Sequence, residues 1–215
     1  MSSSTVTVVG AGLAGCETAW QLAQHQIPVT LYEMKPAKFS PAHSSPELAE
    51  LVCSNSLRSD SPNQAAGLLK REMERCGSLI MEIARRTCIP AGSALAVDRE
   101  AFSRQVSKAI ASHPLISLVH GEVTSLPKDG ITVIATGPLT SEALIDALAE
   151  ITGKQLYFYD ATAPIIAADS INYDICFWGN RYQPEVRGDY LNCPLDREQY
   201  LKLVETIAAG DQVQT

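Results

Sequence analysis

The stretch that decides the fold is TVTVVGAGLAG, Thr5–Gly15. Thr5–Val9 is a short β-branched run with the pattern of a buried parallel strand. It breaks into Gly10-Ala11-Gly12-Leu13-Ala14-Gly15, a G-x-G-x-x-G. Each glycine has a physical task. Gly10 permits a tight turn, Gly12 lets the backbone approach a pyrophosphate, and Gly15 lets the next helix pack closely on the strand. A helix is expected over Ala14–Gln24, with Ala19, Leu22 and Ala23 facing inward. Its start aims free N–H groups and about half a positive charge at the phosphates. PVTLYE, Pro28–Glu33, reads as a second strand. Glu33 lies 18 residues after Gly15, where a carboxylate can accept hydrogen bonds from ribose hydroxyls. Strand, glycine turn, helix, second strand and terminal acid at these offsets predict a dinucleotide-binding βαβ unit.

A second glycine turn narrows the cofactor. ITVIATGP, Ile131–Pro138, is an apolar strand breaking into Ala-Thr-Gly. It resembles the second nucleotide-contact motif of two-dinucleotide-domain flavoproteins, in which small residues let the backbone pass close to the cofactor. Together with the N-terminal turn it points to FAD. The expected cofactor-binding residues are Gly10, Ala11, Gly12, Leu13, Ala14, Gly15, Glu33, Thr136 and Gly137.

Between these motifs, 34–46 holds three prolines and several serines and reads as loop. Glu47–Val52 is expected to form a helical turn, followed by an ordered polar loop over Cys53–Arg58. Ser61-Pro62 has the pattern of an N-cap with proline at N1. Apolar residues at Ala66, Leu69, Met73, Ile80, Ile83 and Ala84 predict one or two helices after it. Ile89–Val97 is expected to be partly extended, and Asp98 caps a helix over Arg99–Ala111. Ile116–His120 and Ile131–Ala135 read as strands, and Ser141 starts a helix ending before Gly153. The composition then shifts toward short aromatic strands at 155–160, 164–167 and 175–178. Asp196, with Gln199 three residues on, opens a last helix through a variant capping box. The fold class is α/β: a Rossmann-like FAD-binding domain over 1–153, followed by the start of a smaller α+β domain over 154–215.

Composition sets outer limits. The chain has 215 residues, 46% of them hydrophobic and 19% charged, enough for a substantial core. No apolar run approaches the roughly 20 residues of a membrane span, and the N-terminus runs straight into a strand, so the expected compartment is the cytoplasm. The net charge of −7 argues against a large nucleic-acid footprint. Lys70, Arg71, Arg75, Arg85 and Arg86 alternate with Glu72, Glu74 and Glu82 and read as a solvated helix face. The six cysteines lack C-x-x-C spacing and do not cluster with histidines, which argues against a metal site. Most are expected to be small buried apolar groups. His43 reads as an exposed loop histidine without a partner. Cys193 before Pro194 reads as structural.

The more specific signal begins at ELVCSNSLRS, Glu50–Ser59. With Gly10–Gly15, Tyr32-Glu33-Met34, PAGSALAVDR at Pro90–Arg99, ATGPLTS at Ala135–Ser141, YFYDATAPI at 157–165 and YLNCP at Tyr190–Pro194, it resembles the folate- and FAD-dependent tRNA uracil-54 methyltransferase family, TrmFO. The resemblance runs from Val6 to about Gly210. It implies FAD as cofactor, methylenetetrahydrofolate and NADH or NADPH as co-substrates, and tRNA as the macromolecular partner, methylated at C5 of a T-loop uridine. Uracil C5 is a poor nucleophile, so a cysteine that activates or protects the base is a natural partner. The resemblance gives that place to Cys53, whose neighbour Arg58 is a cation able to favour thiolate. Asp98-Arg99 is a further candidate contact, although helix capping already accounts for Asp98. The family also has a second cysteine and a returning FAD-domain segment farther downstream, so the sequence reads as an N-terminal half. The competing readings are the related tRNA wobble-uridine modifying flavoprotein, a non-catalytic FAD-binding module, and a plain flavin oxidoreductase.

Overall fold

The computed structural model describes residues 5–127, 129–153, 166–180 and 188–210. The chain divides into two compact units, Met1–Ile89 with Ser93–Ala163, and Pro90–Gly92 with Pro164–Thr215. The strand expected at 155–160 and the first half of that expected at 164–167 lie outside the described residues, as does YFYDATAPI at 157–165, while 166–167 are not strand.

In the first unit, β1 (Val6–Val9) leads into α1 (Leu13–Gln24), and β2 (Val29–Glu33) returns beside β1. β3 (Ser56–Ser59), α2 (Ala65–Arg75), α3 (Leu79–Arg86), β4 (Cys88–Ile89) and β5 (Ala94–Val97) follow. The unit is completed by α4 (Arg99–Ser112), β6 (Ile116–His120), β7 (Ile131–Ile134) and α5 (Glu142–Thr152). The main sheet has the order β6-β2-β1-β7, with every pairing parallel. Val6 pairs with both Val29 and Ile131, so the three strands run in step. The chain builds outward from β1 through β2 to β6, then crosses to the other side of β1 with β7. That reversal opens a crevice at the carboxyl ends of β1 and β7, where ligands of open α/β sheets bind.

The core explains the register. Val8, Leu31, Cys16, Ala19, Ala23, Phe102, Val106 and Ile110 are fully buried, so α1 and α4 lay their apolar stripes against the sheet. Small residues on α1 bring its axis close to the strands. Glu17, mid-helix in α1, ties that helix to the start of α3: its Oε2 accepts from Ser78 Oγ at 2.8 Å and from the Ile80 amide at 3.0 Å. Ser78 in turn caps α3 by accepting from the Met81 amide. Asp98 caps α4 through the Ala101 amide at 2.9 Å, as its position implied.

Several local expectations are corrected. Cys53–Arg58 is not all loop: its second half enters β3, which pairs antiparallel with β5 and carries an irregular register between Ser56 and Ser59. Helix α2 begins at Ala65, not Pro62. The Gln64 amide closes a turn on Ser61 O at 3.1 Å, and a Cβ on Gly67 would lie 1.9 Å from that same carbonyl. The turn folds back onto the helix, so the helix cannot start earlier. Residues 47–52 form a turn at Leu48-Ala49 rather than a helix.

Lys70 is not on a solvated face. It is 6% exposed and donates to Ser59 O at 2.8 Å. Arg85 is likewise bound, bidentate to Asp60 at 2.6 and 2.7 Å and to Glu74 at 2.7 Å. Of the six cysteines only Cys16 is buried. The others lie at strand ends, in loops or, for Cys76, at the C-terminal cap of α2, where no core surrounds them.

The second unit holds β8 (Phe177–Gly179), β9 (Tyr190–Asn192) and α6 (Arg197–Ala208), with β8 and β9 antiparallel. The capping box at Asp196 and Gln199 is formed. Among the described residues no helix is long and apolar enough to cross a membrane.

Candidate functional site

A cleft of about 350 Å³ opens at the carboxyl ends of the main sheet. Its walls come from segments far apart in sequence: Gly10–Ala14 after β1, Tyr32–Lys35 at the end of β2, Gly121–Val123 after β6, and 135–141 after β7. His43, Ala49, Glu50, Val52 and Cys53 close one side.

The glycine turn is shaped by close approaches. Gly10 has φ +95°, and a Cβ there would lie 2.8 Å from Ala135 O and from Thr136 Cα. The two glycine motifs therefore meet backbone to backbone, joined also by the Ala135 amide donating to Val9 O at 2.8 Å. A Cβ on Gly15 would lie 1.7 Å from Gly10 O, so only glycine lets α1 start so near the turn. Gly12 differs: nothing lies within 4 Å of its would-be Cβ. Its front faces the open cleft, the clearance a pyrophosphate needs. Helix α1 has no side-chain cap and no acidic residue in its first turn. Its leading N–H groups thus have no intrahelical acceptor and border the cleft. Together these features fit a dinucleotide phosphate and leave room for it.

Glu33 is 7% exposed, with Oε2 accepting from the Ala11 amide and Oε1 from the Lys35 amide, each at 3.0 Å. It braces the glycine turn, and each oxygen keeps a further lone pair for a hydroxyl donor. Burial, and then the Glu33 carboxylate, push the Cys16 thiol far above its ordinary range. Cys16 stays protonated and donates to Ala11 O at 3.3 Å, so it belongs to the turn's framework. Thr136 and Thr140 hydroxyls meet at 2.6 Å, and Thr140 donates to Gly137 O at 2.9 Å. Gly137 takes φ +66° to make that turn.

Cys53 is exposed on the cleft wall. The segment behind it is braced by its own side chains: Asn55 Nδ2 donates to Val97 O at 3.0 Å, and Ser54 Oγ accepts the Ser56 amide at 3.0 Å. Arg58 is exposed with φ +66°, a conformation rare outside glycine and concentrated at functional sites. Cys53 and all the expected cofactor-binding residues except Gly15 line the cleft, and Gly15 supports it from beneath. Arg99 does not line it.

Three polar residues of the cleft were not anticipated. Lys35 Nζ donates to Ser45 O at 3.1 Å, Glu47 O at 2.6 Å and Glu50 Oε2 at 3.2 Å. Glu50 also accepts the Ser44 and Ser45 amides. Burial raises the Glu50 carboxyl, but those amides and the Lys35 ammonium outweigh it and hold the group below its ordinary range. His43 does have a partner, Ser40 Oγ at 2.6 Å from Nδ1. Isolated polar residues in a proline-rich loop carry no periodicity, so no sequence signal marked them.

Among known proteins, the chain is similar to the methylenetetrahydrofolate–tRNA-(uracil-5-)-methyltransferase TrmFO of Pelobacter propionicus, 57% identical over 97% of this chain and 46% of the relative. It is 56% identical to the protein of that name from Geobacter sulfurreducens, over 98% of this chain and 49% of the relative. The chain thus spans about half the length of the curated relatives it matches. Among solved structures, GidA of Aquifex aeolicus overlaps 60% of this chain and 21% of its own, at 15% identity and a TM-score of 0.47. The glucose inhibited division protein A family matches residues 5–214, and the chain belongs to that family.

Proposed function

We propose that this chain is the FAD-binding portion of a methylenetetrahydrofolate–tRNA-(uracil-5-)-methyltransferase. The observation that carries the reading is the convergence of both glycine turns and Cys53 on one cleft, in a chain more than half identical to proteins of that name. Residues 1–153 form the FAD domain, and 154–215 open a second domain.

Gly10–Gly15 and the start of α1 hold the pyrophosphate through backbone N–H groups. Glu33 keeps the turn in shape and accepts from the ribose hydroxyls. Thr136 and Gly137 bring the second turn against the cofactor. FAD, when bound, supplies the electrons that reduce a one-carbon unit from methylenetetrahydrofolate to a methyl group, with NADH or NADPH as their source. Cys53 presents its sulfur at the cleft wall to the uracil ring, activating or shielding it while C5 is methylated. The substrate position is uridine 54 in the T-loop of tRNA, and the compartment is the cytoplasm.

The test begins with the visible spectrum of the purified chain and chromatography of the released cofactor, which should yield FAD. The chain is then combined with the C-terminal half of the Pelobacter relative. Transfer of labelled carbon from methylenetetrahydrofolate to tRNA is compared between wild type and Cys53→Ala. Transfer that is lost on Cys53→Ala, with FAD retained, supports the reading. FAD without transfer would identify a non-catalytic FAD module, and label at a wobble uridine would move the chain to the related flavoprotein.

A further inference from the structure

The proposed methyl transfer leaves two thiols of the second unit unexplained. Cys176 and Cys193 have their sulfurs 3.4 Å apart. Phe177 pairs with Asn192 in the β8–β9 ladder. One step beyond that rung, Cys176 stands across from Cys193. Alternation along the strands puts the two cysteines on the face that also carries Trp178 and Leu191. Directly opposed residues of antiparallel strands have Cα atoms about 4.5–5.5 Å apart. Disulfides span about 4.4–6.8 Å. The backbone therefore already has the spacing of a bridge, and closing it needs only side-chain rotation.

The hairpin is held so that this spacing persists. Asn192 Nδ2 donates to Gly179 O at 3.2 Å and to Tyr190 O at 3.1 Å. Asp189 accepts the Gly92 amide at 2.6 Å, and the Tyr190 hydroxyl donates to Ala91 O at 2.7 Å. Cys193 is exposed and Cys176 half-buried, so a reagent reaches one sulfur first and finds the other behind it.

We propose that Cys176 and Cys193 form a vicinal dithiol site, closed to an intramolecular disulfide by exchange with a small disulfide of the glutathione class. The Cys193 thiolate attacks one sulfur of the reagent, breaks its S–S bond and releases one thiol. Cys176 then loses its proton, attacks the Cys193 sulfur, breaks the mixed disulfide and releases the second thiol. Two electrons and two protons pass from the dithiol to the reagent. Hydrogen bonding to Cys193 holds the Cys176 thiol above its ordinary range, which makes the exposed Cys193 the first attacker.

The reduced chain is equilibrated without oxygen against graded mixtures of reduced and oxidised glutathione, acid-quenched, alkylated and weighed. The expected product has lost two hydrogens, carries no glutathione on this pair, and yields a linked Cys176–Cys193 peptide. Cys176→Ser and Cys193→Ser should each stop at a mixed disulfide on the remaining cysteine. Phenylarsine oxide, which bridges two sulfurs, should bind the wild type roughly 100-fold more tightly than either variant. Mixed disulfides accumulating on both cysteines of the wild type, or equal arsenical binding in wild type and variants, would overturn the proposal. The wild-type measurements decide the question even if a variant fails to fold.

Discussion

Lys35 Nζ lies 3.2 Å from Glu50 Oε2, and the two side chains are only 4% and 9% exposed. This buried pair ties the end of β2 to the segment that walls the cleft. The Ala49 amide, one residue away, donates to Ala11 O at 2.9 Å, so the same segment is bolted to the glycine turn. Burying two charges is favourable only when the remaining lone pairs and protons are satisfied, and here backbone carbonyls and amides do that.

Lys35→Met should therefore lower stability by about 3 kcal/mol, because it strands the Glu50 carboxylate and frees two carbonyls. Lys35→Met combined with Glu50→Gln should recover part of that loss. Urea unfolding of the single and double variants checks it. Equal losses in both would mean the pair is not coupled.

The glycines separate folding from binding. Gly15→Ala puts a methyl 1.7 Å from Gly10 O, so α1 must shift, at a cost of about 3 kcal/mol or more. Gly12→Ala meets nothing within 4 Å and should leave the midpoint of unfolding unchanged. The same methyl enters the space assigned to the pyrophosphate, so flavin affinity should fall at least about tenfold, a loss of roughly 1.4 kcal/mol. Thermal unfolding without flavin and a flavin titration distinguish the two variants. A destabilised Gly12→Ala would contradict this division.

Glu33 serves the turn as well as the proposed ribose contact. In Glu33→Gln the side-chain amide faces one of two backbone N–H donors, leaving that donor without an acceptor. Stability should fall by about 1–3 kcal/mol, even in protein free of flavin. Denaturant unfolding of the flavin-free variant is the measurement, and an unchanged midpoint would show that Glu33 contributes to binding alone.

Ile116–His120 is legible in the sequence at its observed bounds although it is the edge strand and only Ile116 is buried, because a short apolar run bounded by turn residues is a local signal. The glycine turn was legible because its spacing is dictated by close backbone approach. Ser56–Ser59 was not, since a polar, bulged strand takes its stability from pairing with β5 rather than from its own pattern. Lys35, Glu50 and His43 are hidden for a related reason: Lys35 and Glu50 pair with each other and with loop backbone groups, and His43 with the Ser40 hydroxyl, and sequence does not encode that loop's path locally. Lys70 looked like one charge in an alternating run, and only the fold-back at Ser59–Ser61 buries it.

That fold-back also generates a pH dependence. Hydrogen bonding to Arg85 holds the Asp60 carboxyl below its ordinary range despite partial burial. At Glu74, burial raises the carboxyl, but bonds to Arg85 and Arg71 outweigh it and leave a net lowering. A carboxyl whose folded pKa is depressed contributes stability above its unfolded pKa, about 3.9 for Asp and 4.3 for Glu. The contribution is lost as pH falls through the folded values. Stability should thus be flat near neutrality and decline below about pH 4 as these carboxylates take up protons. Arg85→Met removes the guanidinium that favours both charged forms. It should lower stability at pH 7 and flatten the acid-side decline, so that wild type and variant converge at the lowest pH. Urea midpoints measured from pH 7 down to about pH 3 test this. Parallel curves for the two proteins would show that the acid sensitivity arises elsewhere, with Glu50 the next carboxylate to examine.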